Sequence, residues 1–506
     1  MQGLYNLGSA FVELTTPMMM FHVVWATLLG IIVGSLPGLT ATMGVALLTS
    51  LTYSLDRDAA ILVLICMYVG AIYGGSRSAI LLNIPGTPAS AATSLDGYPL
   101  ARQGKAAYAM GLATVGSVLG TLVGIVLLVL LAPPLAEAAI RFGSFEFFWL
   151  AVFGVVISGQ LTADGNVQKG YIAGILGLMV AMIGSDGIHA HVRFNFGIAE
   201  LNGGIGLIPA MVGAFGFAEV LTAMSSPPGK VVATKKGEKG ALPRLIDLWK
   251  YRLTILRSGV IGTVVGILPG VGEDIGAWAS YAAARRSSKE ADQFGKGSHE
   301  GLIAAETGNS AVVPGSLIPA LTLAVPGSAA SAVLIAALFI HGIRPGPMIM
   351  IEAPEFIYLV AVMLLFATLA ILVLGLFLTP VFVRVLKVPH AYLMPVVFTL
   401  CVIGPYAISQ RLFDVWVMVV FGVIGFVMRK MDYPMAPLVL GIILGDLMDK
   451  SLRRGLILSN GDVAPFFTRP ICAAFVLIIV VSILSSSPAV RRLVSRLWHR
   501  KQEGNS

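Results

Sequence analysis

Charge is scarce in this chain. Asp, Glu, Lys and Arg supply 12% of the 506 residues, about half the share usual in a soluble domain, too little polar surface to wrap a water-soluble core of this size. The hydrophobic share of 57% and a mean hydropathy of +0.87 make lipid the solvent for most of the chain. Cysteine is scarcer still. Cys66, Cys401 and Cys472 lie in apolar runs, without the paired spacing of a disulfide framework or metal site, and read as packing residues. The seven histidines are scattered, which gives no support to a membrane-embedded enzyme built on a convergent Ser/His or His/His set. No GxxxxGK[ST] occurs, and GVGEDIG at 270–276 has neither the spacing nor the preceding strand of a nucleotide loop. ATP-driven transport by this chain alone is not supported.

Glycine, by contrast, is abundant at 57 residues, alongside 27 prolines. Both are commoner in membrane helices, where neighbours satisfy the backbone groups they free. The formal charge of +8 would suggest nucleic acid in a soluble protein, but here the basic residues cluster beside apolar spans. Lys230, Lys235, Lys236, Lys239, Arg244, Lys250, Arg252 and Arg257 crowd 225–257 against Glu238 and Asp247, and Arg491, Arg492, Arg496, Arg500 and Lys501 crowd the tail. The positive-inside rule puts both segments in the cytoplasm, and nucleic acid is not an expected partner. The amino terminus has Glu13 and no basic stretch before its first apolar run at Met18, so it does not read as a cleavable signal.

Apolar runs long enough to span fall near 18–36, 59–75, 108–133, 144–160, 171–185, 203–222, 356–381, 391–408, 414–428 and 467–485. Others, at 38–54, 78–95, 258–284, 301–341 and 434–446, are short or interrupted by Pro-Gly. The expected fold is an all-α polytopic membrane protein of about twelve spans, with broken or re-entrant helices. Gly116, Gly120 and Gly124 form a double GxxxG suited to close helix contact.

The two halves repeat. Gly30, Gly34, Pro37, Gly38 and Gly44 of GIIVGSLPGLTATMG fall on Gly262, Gly266, Pro269, Gly270 and Gly276 of GTVVGILPGVGEDIG. Later, Pro85, Gly86, Ala89, Ser90 and Ala91 fall on Pro326, Gly327, Ala330, Ser331 and Ala332. Pro removes a backbone donor and Gly relaxes the torsional limits, so Pro37, Pro85, Pro269 and Pro326 each mark a helix break with unpaired N–H and C=O groups. In lipid such ends need a polar partner, and transporters with inverted repeats use them to hold an anion and coupling cations at midplane. The charged run 285–300 reads as cytoplasmic, whereas the corresponding link Asp56-Arg57-Asp58 is net negative and reads as external, with Arg102 and Lys105 of the next polar loop facing in. The halves therefore come out inverted; the alternative, a parallel repeat, would move the two charged loops to the same side. The expected organisation is a membrane repeat over 1–224, a basic cytoplasmic linker over 225–257, a second membrane repeat over 258–485 and a basic cytoplasmic tail over 486–506.

Long stretches around these breaks resemble the TctA family, the large membrane subunit of the tripartite tricarboxylate transporters. They are GSLPGLTATMG at 34–44, YGGSRSAILLNIPGTPASAATSLDGYPLARQGKA at 73–106, ILPGVGEDIGAWASY at 267–281 and AAETGNSAVVPGSLIPALTLAVPGSAASAVL at 304–334. The resemblance implies a bacterial inner-membrane permease in a lipid bilayer. Its implied partners are a small membrane subunit of about four spans and a periplasmic solute-binding protein. It implies import of di- or tricarboxylates or related organic acids, driven by a sodium or proton gradient, with no cofactor beyond that coupling ion. A stand-alone carboxylate carrier, a passive anion channel and a membrane-embedded enzyme are the alternatives.

Chemistry nominates the site residues. Ser76, Arg77, Ser78, Asn83, Thr87 and Ser90 around the first half's second break, with Ser328 and Ser331 in the second half, offer donors to a carboxylate, an Arg-carboxylate pair being the strongest of these. The other reading of Arg77 is a side chain snorkelling to water. Carbonyls freed at Gly38 and Gly270, with Thr40, Thr42, Glu273, Asp274, Asn309 and Ser310, offer hard oxygen ligands to sodium. The other reading of Glu273 and Asp274 is a solvated turn mouth. With proton coupling, Glu273, Asp274 or Glu306 becomes the proton carrier. No metal other than sodium is expected; His189 and His191, beside Arg193, read as a solvated loop because no third or fourth ligand is near in sequence.

Overall fold

The computed structural model describes residues 2–36, 38–162, 166–225, 249–378 and 390–486. Pro37, the linker residues Lys230, Lys235, Lys236, Lys239 and Arg244, and the tail residues Arg491, Arg492, Arg496, Arg500 and Lys501 lie outside the described residues. In chain order the helices used below are α1 (Gln2–Leu14), α2 (Pro17–Ser35), α3 (Ala41–Leu51), α4 (Arg57–Leu82), α5 (Ala91–Leu100), α6 (Ala106–Ile140), α7 (Ser144–Leu161) and α8 (Val167–Ala181). They continue with α9 (Ala218–Ser225), α10 (Arg252–Ile267), α11 (Gly272–Ser287), α12 (His299–Leu323), α13 (Ala329–Ile340), α14 (Phe356–Phe377), α15 (Met435–Leu458) and α16 (Pro470–Ser486). The strands among the described residues are β1 (Gly184–Ser185) and β2 (Val192–Arg193), an antiparallel pair.

The chain is an all-α polytopic membrane protein. Among the described residues, six stretches are long and apolar enough to cross a bilayer: Pro17–Ser35, Arg57–Leu82, Pro88–Ile140, Ser144–Leu161, Phe356–Phe377 and Leu412–Lys430. Shorter apolar helices include Val167–Ala181, Ala329–Ile340 and Pro470–Leu484. The chain divides into two compact units, Met1–Ile140 with Gly206–Val427, and Arg141–Ile205 with Met428–Ser506.

The first unit contains both copies of the repeat, and they are built alike. In one, α2 packs on α4; in the other, α10 packs on α12. Both contacts depend on missing side chains. A Cβ on Gly34 would stand 1.9 Å from Ala71 O, and one on Gly262 would stand 2.2 Å from Gly308 O, so the backbones touch directly. The double GxxxG of α6 packs on α12 in the same way: a Cβ on Gly120 would meet Thr307 O at 2.2 Å. The corresponding helices α4 and α12 run antiparallel. Tyr68 Oη meets Ser316 Oγ at 3.2 Å while Ser76 Oγ meets Glu306 at 2.7 Å, so rising numbers on one helix face falling numbers on the other. Equivalent helices in opposite directions make the repeat inverted.

α1 falls outside the expected spans. It precedes the first apolar run and stacks Phe11 on Phe366 of α14 at 5.2 Å. In the second unit, α8 lies on α15, where a Cβ on Gly177 would meet Leu438 O at 2.1 Å. Arg469 pairs with the buried Glu146 of α7 at 3.1 Å, and Phe145 packs edge-on against Phe466 at 4.9 Å. Cys66, Cys401 and Cys472 are free and buried.

These contacts make a prediction. Gly34→Ala drives a methyl into the Ala71 carbonyl and costs about 1–3 kcal/mol, lowering the unfolding temperature of the detergent-solubilised protein. Gly8→Ala, whose added carbon meets nothing within 4 Å among the described residues, leaves that temperature unchanged.

Candidate functional site

Pro85, Pro269 and Pro326 each lie just past the end of a helix. α4 closes on Asn83 and α12 on Ala324, both left-handed, with φ of 56° and 55°. Asn tolerates that conformation and Ala pays for it sterically, which marks the bend in α12 as imposed by its surroundings. Gly38 and Gly270 also take positive φ, 92° and 67°, at the two first breaks. After each second break a new helix starts at a hydroxyl. Ser328 Oγ accepts from Ser331 N at 3.1 Å while Ser331 Oγ accepts from Ser328 N at 2.9 Å. In the first copy Ser90 Oγ accepts from Thr87 N at 3.2 Å.

The breaks within a copy bind one another. Gly270 N donates to Pro326 O and Gly272 N to Gly327 O, each at 3.2 Å. A Cβ on Gly327 would meet Gly266 O at 1.9 Å, and one on Gly86 would meet Gly34 O at 2.2 Å. The copies also meet each other. Tyr68 of α4 donates to Glu273 in the first turn of α11, and its Oη lies 2.7 Å from Ser328 Oγ. The N-terminal ends of α11 and α13 are thus joined to α4 of the other repeat. Glu273 is partly buried and accepts from Tyr68 rather than lying in a solvated turn.

Asn309 lies two turns before Ser316 on the same face of α12. The two contacts between α4 and α12 place it level with 73–75 of α4, and Thr87 Oγ1 lies 2.5 Å from where a Gly75 Cβ would be. Asn309 is 0% exposed, and among the described residues neither its Oδ1 nor its Nδ2 has a hydrogen-bond partner; Thr87 Oγ1 has none there either. Buried polar atoms left unmade are costly.

Arg77 is completely buried and does not snorkel to water. Its guanidinium turns to α6, giving Nη1 and Nη2 to Met110 O at 3.2 Å and Nη2 to Thr114 Oγ1 at 3.1 Å, and it lies 4.3 Å over the Tyr73 ring. Its neighbour Ser76 instead serves Glu306. That carboxylate, wholly buried, accepts from Ser76 at 2.7 Å, from Ser117 at 2.8 Å and from Thr93, within electrostatic reach of Arg77. Ser78 Oγ donates to Gly75 O at 3.2 Å within its own helix. Asn83 is exposed.

Of the cation candidates, Thr40 caps α3 by accepting from Met43 N at 3.2 Å, and Thr42 and Ser310 are buried. Asp274 is half-buried in the first turn of α11. Sequence reasoning missed two acids here. Glu219 of α9 is buried and reaches the first break, its Oε1 2.3 Å from where a Gly38 Cβ would stand; nothing in its local sequence signals this. Asp96 of α5 is also buried. Its Oδ1 accepts from Gly295 N, Gly297 N and Ser298 N at 2.8–2.9 Å, and Tyr281 Oη donates to Oδ2 at 2.9 Å. It ties the first repeat to the start of α12, and an acid followed by Gly-Tyr-Pro inside an apolar stretch was its one sequence clue. Among the described residues no group of three or more His, Cys, Asp or Glu could hold a metal ion.

In the second unit His189 and His191 stack at 6.3 Å on an exposed hairpin. The hairpin is organised by Asp186, which accepts from Ile188 N at 2.8 Å and His189 N at 2.6 Å and pairs with Arg453 at 3.4 Å.

Two predictions follow from these networks. Glu306→Ala strands three buried hydroxyls and uncovers Arg77, costing about 3–5 kcal/mol, whereas Glu306→Gln keeps the shape and loses less; chemical unfolding in detergent separates them. The backbone donors hold the Asp186 carboxyl below its ordinary value of 3.8, so its support for the hairpin is full above that pH and is lost as the pH falls through the depressed folded value. Hydrogen-exchange protection at Ile188 and His189 holds above about pH 5 and declines in acid.

The family model named Tripartite tricarboxylate transporter TctA family matches residues 20–440. Over 495 residues the chain is 35% identical to an Agrobacterium vitis protein named as an uncharacterised 52.8 kDa protein in the TAR-I ttuC' 3' region, covering 95% of this chain and 96% of that one. A second Agrobacterium vitis protein, named for the TAR-II ttuC' 3' region, is 35% identical over 231 residues, which is 46% of this chain and 96% of its own length. No solved structure matches the chain.

Proposed function

Because the chain belongs to the TctA family of tripartite tricarboxylate transporters, we propose that it is the permease subunit of a cation-driven carrier for di- or tricarboxylates. A periplasmic binding protein delivers the substrate, a small membrane subunit completes the permease, and the assembly sits in the bacterial inner membrane. The observation that carries this reading is the meeting of broken helices within an inverted repeat. α3, α5, α11 and α13 all begin at the breaks, and helix beginnings carry partial positive charge and free N–H groups that favour an anion.

The resident acids support coupling to a cation. Glu219, Glu273 and Glu306 stand around this region against the buried Arg77, so an incoming organic dianion meets like charge in a medium of low dielectric. A cation moving with it offsets that cost. We assign Gly38, Thr40 and Thr42, joined by Glu219, to one sodium site, and Gly270, Asp274 and Ser310 to its counterpart. Thr87 and Ser90 serve the carboxylate at the start of α5, Ser328 and Ser331 form the matching start of α13, where they bond one another, and Arg77, committed to α6, acts by holding α4 in place.

Uptake of [14C]citrate and [14C]succinate by membrane vesicles holding the chain with its two partner subunits tests this. The expected result is accumulation under an imposed inward sodium gradient and stimulation by unlabelled carboxylate on the far side. Uptake without trans-stimulation would mean a channel and would sink the carrier reading. Sodium-independent uptake that tracks a pH gradient would move the coupling to protons on Glu273, Asp274 or Glu306.

A further inference from the structure

The two repeats share a frame and differ in what fills it. In the second, a carboxylate sits near the start of the broken helix α13: Glu273 accepts from Tyr68, whose Oη lies 2.7 Å from Ser328 Oγ and also touches Ser316. The repeat carries each of these residues to a counterpart. Ser328 corresponds to Thr87, Ser316 to Gly75, Tyr68 to Asn309 and Glu273 to Ala41. The frame itself is conserved between copies. Gly86 rests on Gly75 as Gly327 rests on Ser316, with Cβ positions 2.9 Å and 2.8 Å from the respective Cα atoms.

The contents are not conserved. An amide replaces a phenol, a hydrogen replaces a hydroxymethyl group, and a methyl replaces a carboxyethyl group. The first-repeat side is therefore lined by smaller groups, and it lacks the acid that satisfies its twin. Its polar atoms are the ones left unmade: Thr87 Oγ1 at 4% residue exposure, and Asn309 Oδ1 and Nδ2 at 0%. Whichever way the amide is turned, it offers N–H donors.

We propose that the Thr87–Asn309 site holds one carboxylate group of the substrate, and that Glu273 is the chain's own carboxylate resident in the equivalent site. This rests on the carboxylate-permease reading above. The twin site shows the chemistry, since a donor from the antiparallel helix, itself bonded to the hydroxyl at the helix start, already holds a carboxylate there. In the first repeat Thr87 O–H and Asn309 N–H take those two parts, and α5 begins just beyond, its positive end toward the anion. Two other acids belong to neighbouring elements. Glu306, one turn from Asn309 on α12, is held by Ser76, Thr93 and Ser117 with Arg77 in electrostatic reach, and Glu219 stands at Gly38.

Two measurements test this. Thermal unfolding of the full chain in detergent requires no transport. Glu273→Ala lowers the unfolding temperature, and sodium formate, compared with sodium chloride of equal strength, raises it more in the variant than in the wild type. An equal effect on both overturns the resident carboxylate. In vesicle uptake, Asn309→Asp and Thr87→Val raise KM for [14C]succinate or [14C]citrate about tenfold with unfolding temperatures unchanged, and Thr87→Ser restores the affinity lost in Thr87→Val. Unchanged KM, or a change confined to the sodium dependence, overturns the substrate site. If wild-type vesicles carry no carboxylate while formate still rescues Glu273→Ala, the permease reading fails and the resident carboxylate stands.

Discussion

A peptide group freed from its helix in hydrocarbon must find another partner, and the first unit of this protein is organised around that demand. Each Pro-Gly releases N–H and C=O groups, and the structure answers from close by. Gly270 N and Gly272 N reach the carbonyls of the other break in the same copy, and hydroxyls of Thr40, Ser90, Ser328 and Ser331 supply the caps. This works only if backbones approach without intervening side chains. Gly34, Gly86, Gly262, Gly266 and Gly327 are placed where a single added carbon would enter a neighbouring backbone, so glycine content and broken helices are two aspects of one constraint.

Inversion gives the arrangement its chemistry. With α4 and α12 antiparallel, one repeat contributes side chains to the breaks of the other, as Tyr68 does for Glu273 and Ser328. The same antiparallel pair buries Glu306 among hydroxyls from α4, α5 and α6. Asp96 adds a further tie between the repeats by drawing three backbone N–H groups of the turn before α12 onto one oxygen. A carboxylate accepting several backbone donors is a strong, geometrically exacting contact, well suited to setting where α12 begins.

Much of this was legible beforehand, for reasons that differ by residue. Pro85, Pro269 and Pro326 break helices because proline has no N–H to give, a property that no tertiary contact changes. The matching spacing of glycines predicted two alike copies, and the packing of α2 on α4 and of α10 on α12 shows them. Arg77 illustrates the opposite. Its charge beside a break suggested a substrate ligand or a snorkelling side chain, yet the Met110 carbonyl, Thr114 and the Tyr73 ring take it toward α6. Glu219 was not singled out because it reaches Gly38 from a helix distant in sequence, and α1 was missed because it lies ahead of the first continuous apolar run.

Composition and local spacing alone determined that the chain lives in a bilayer, where its helices break and that its halves are related, because solvation by lipid, the lost proline donor and the glycine periodicity act residue by residue. Only the tertiary structure decided which buried acid meets which hydroxyl, that Asn309 and Thr87 are left without side-chain partners among the described residues while their counterparts Tyr68 and Ser328 are bonded, and that Arg77 faces α6. Those outcomes depend on the antiparallel register of α4 against α12, a relation between distant segments that no local pattern encodes.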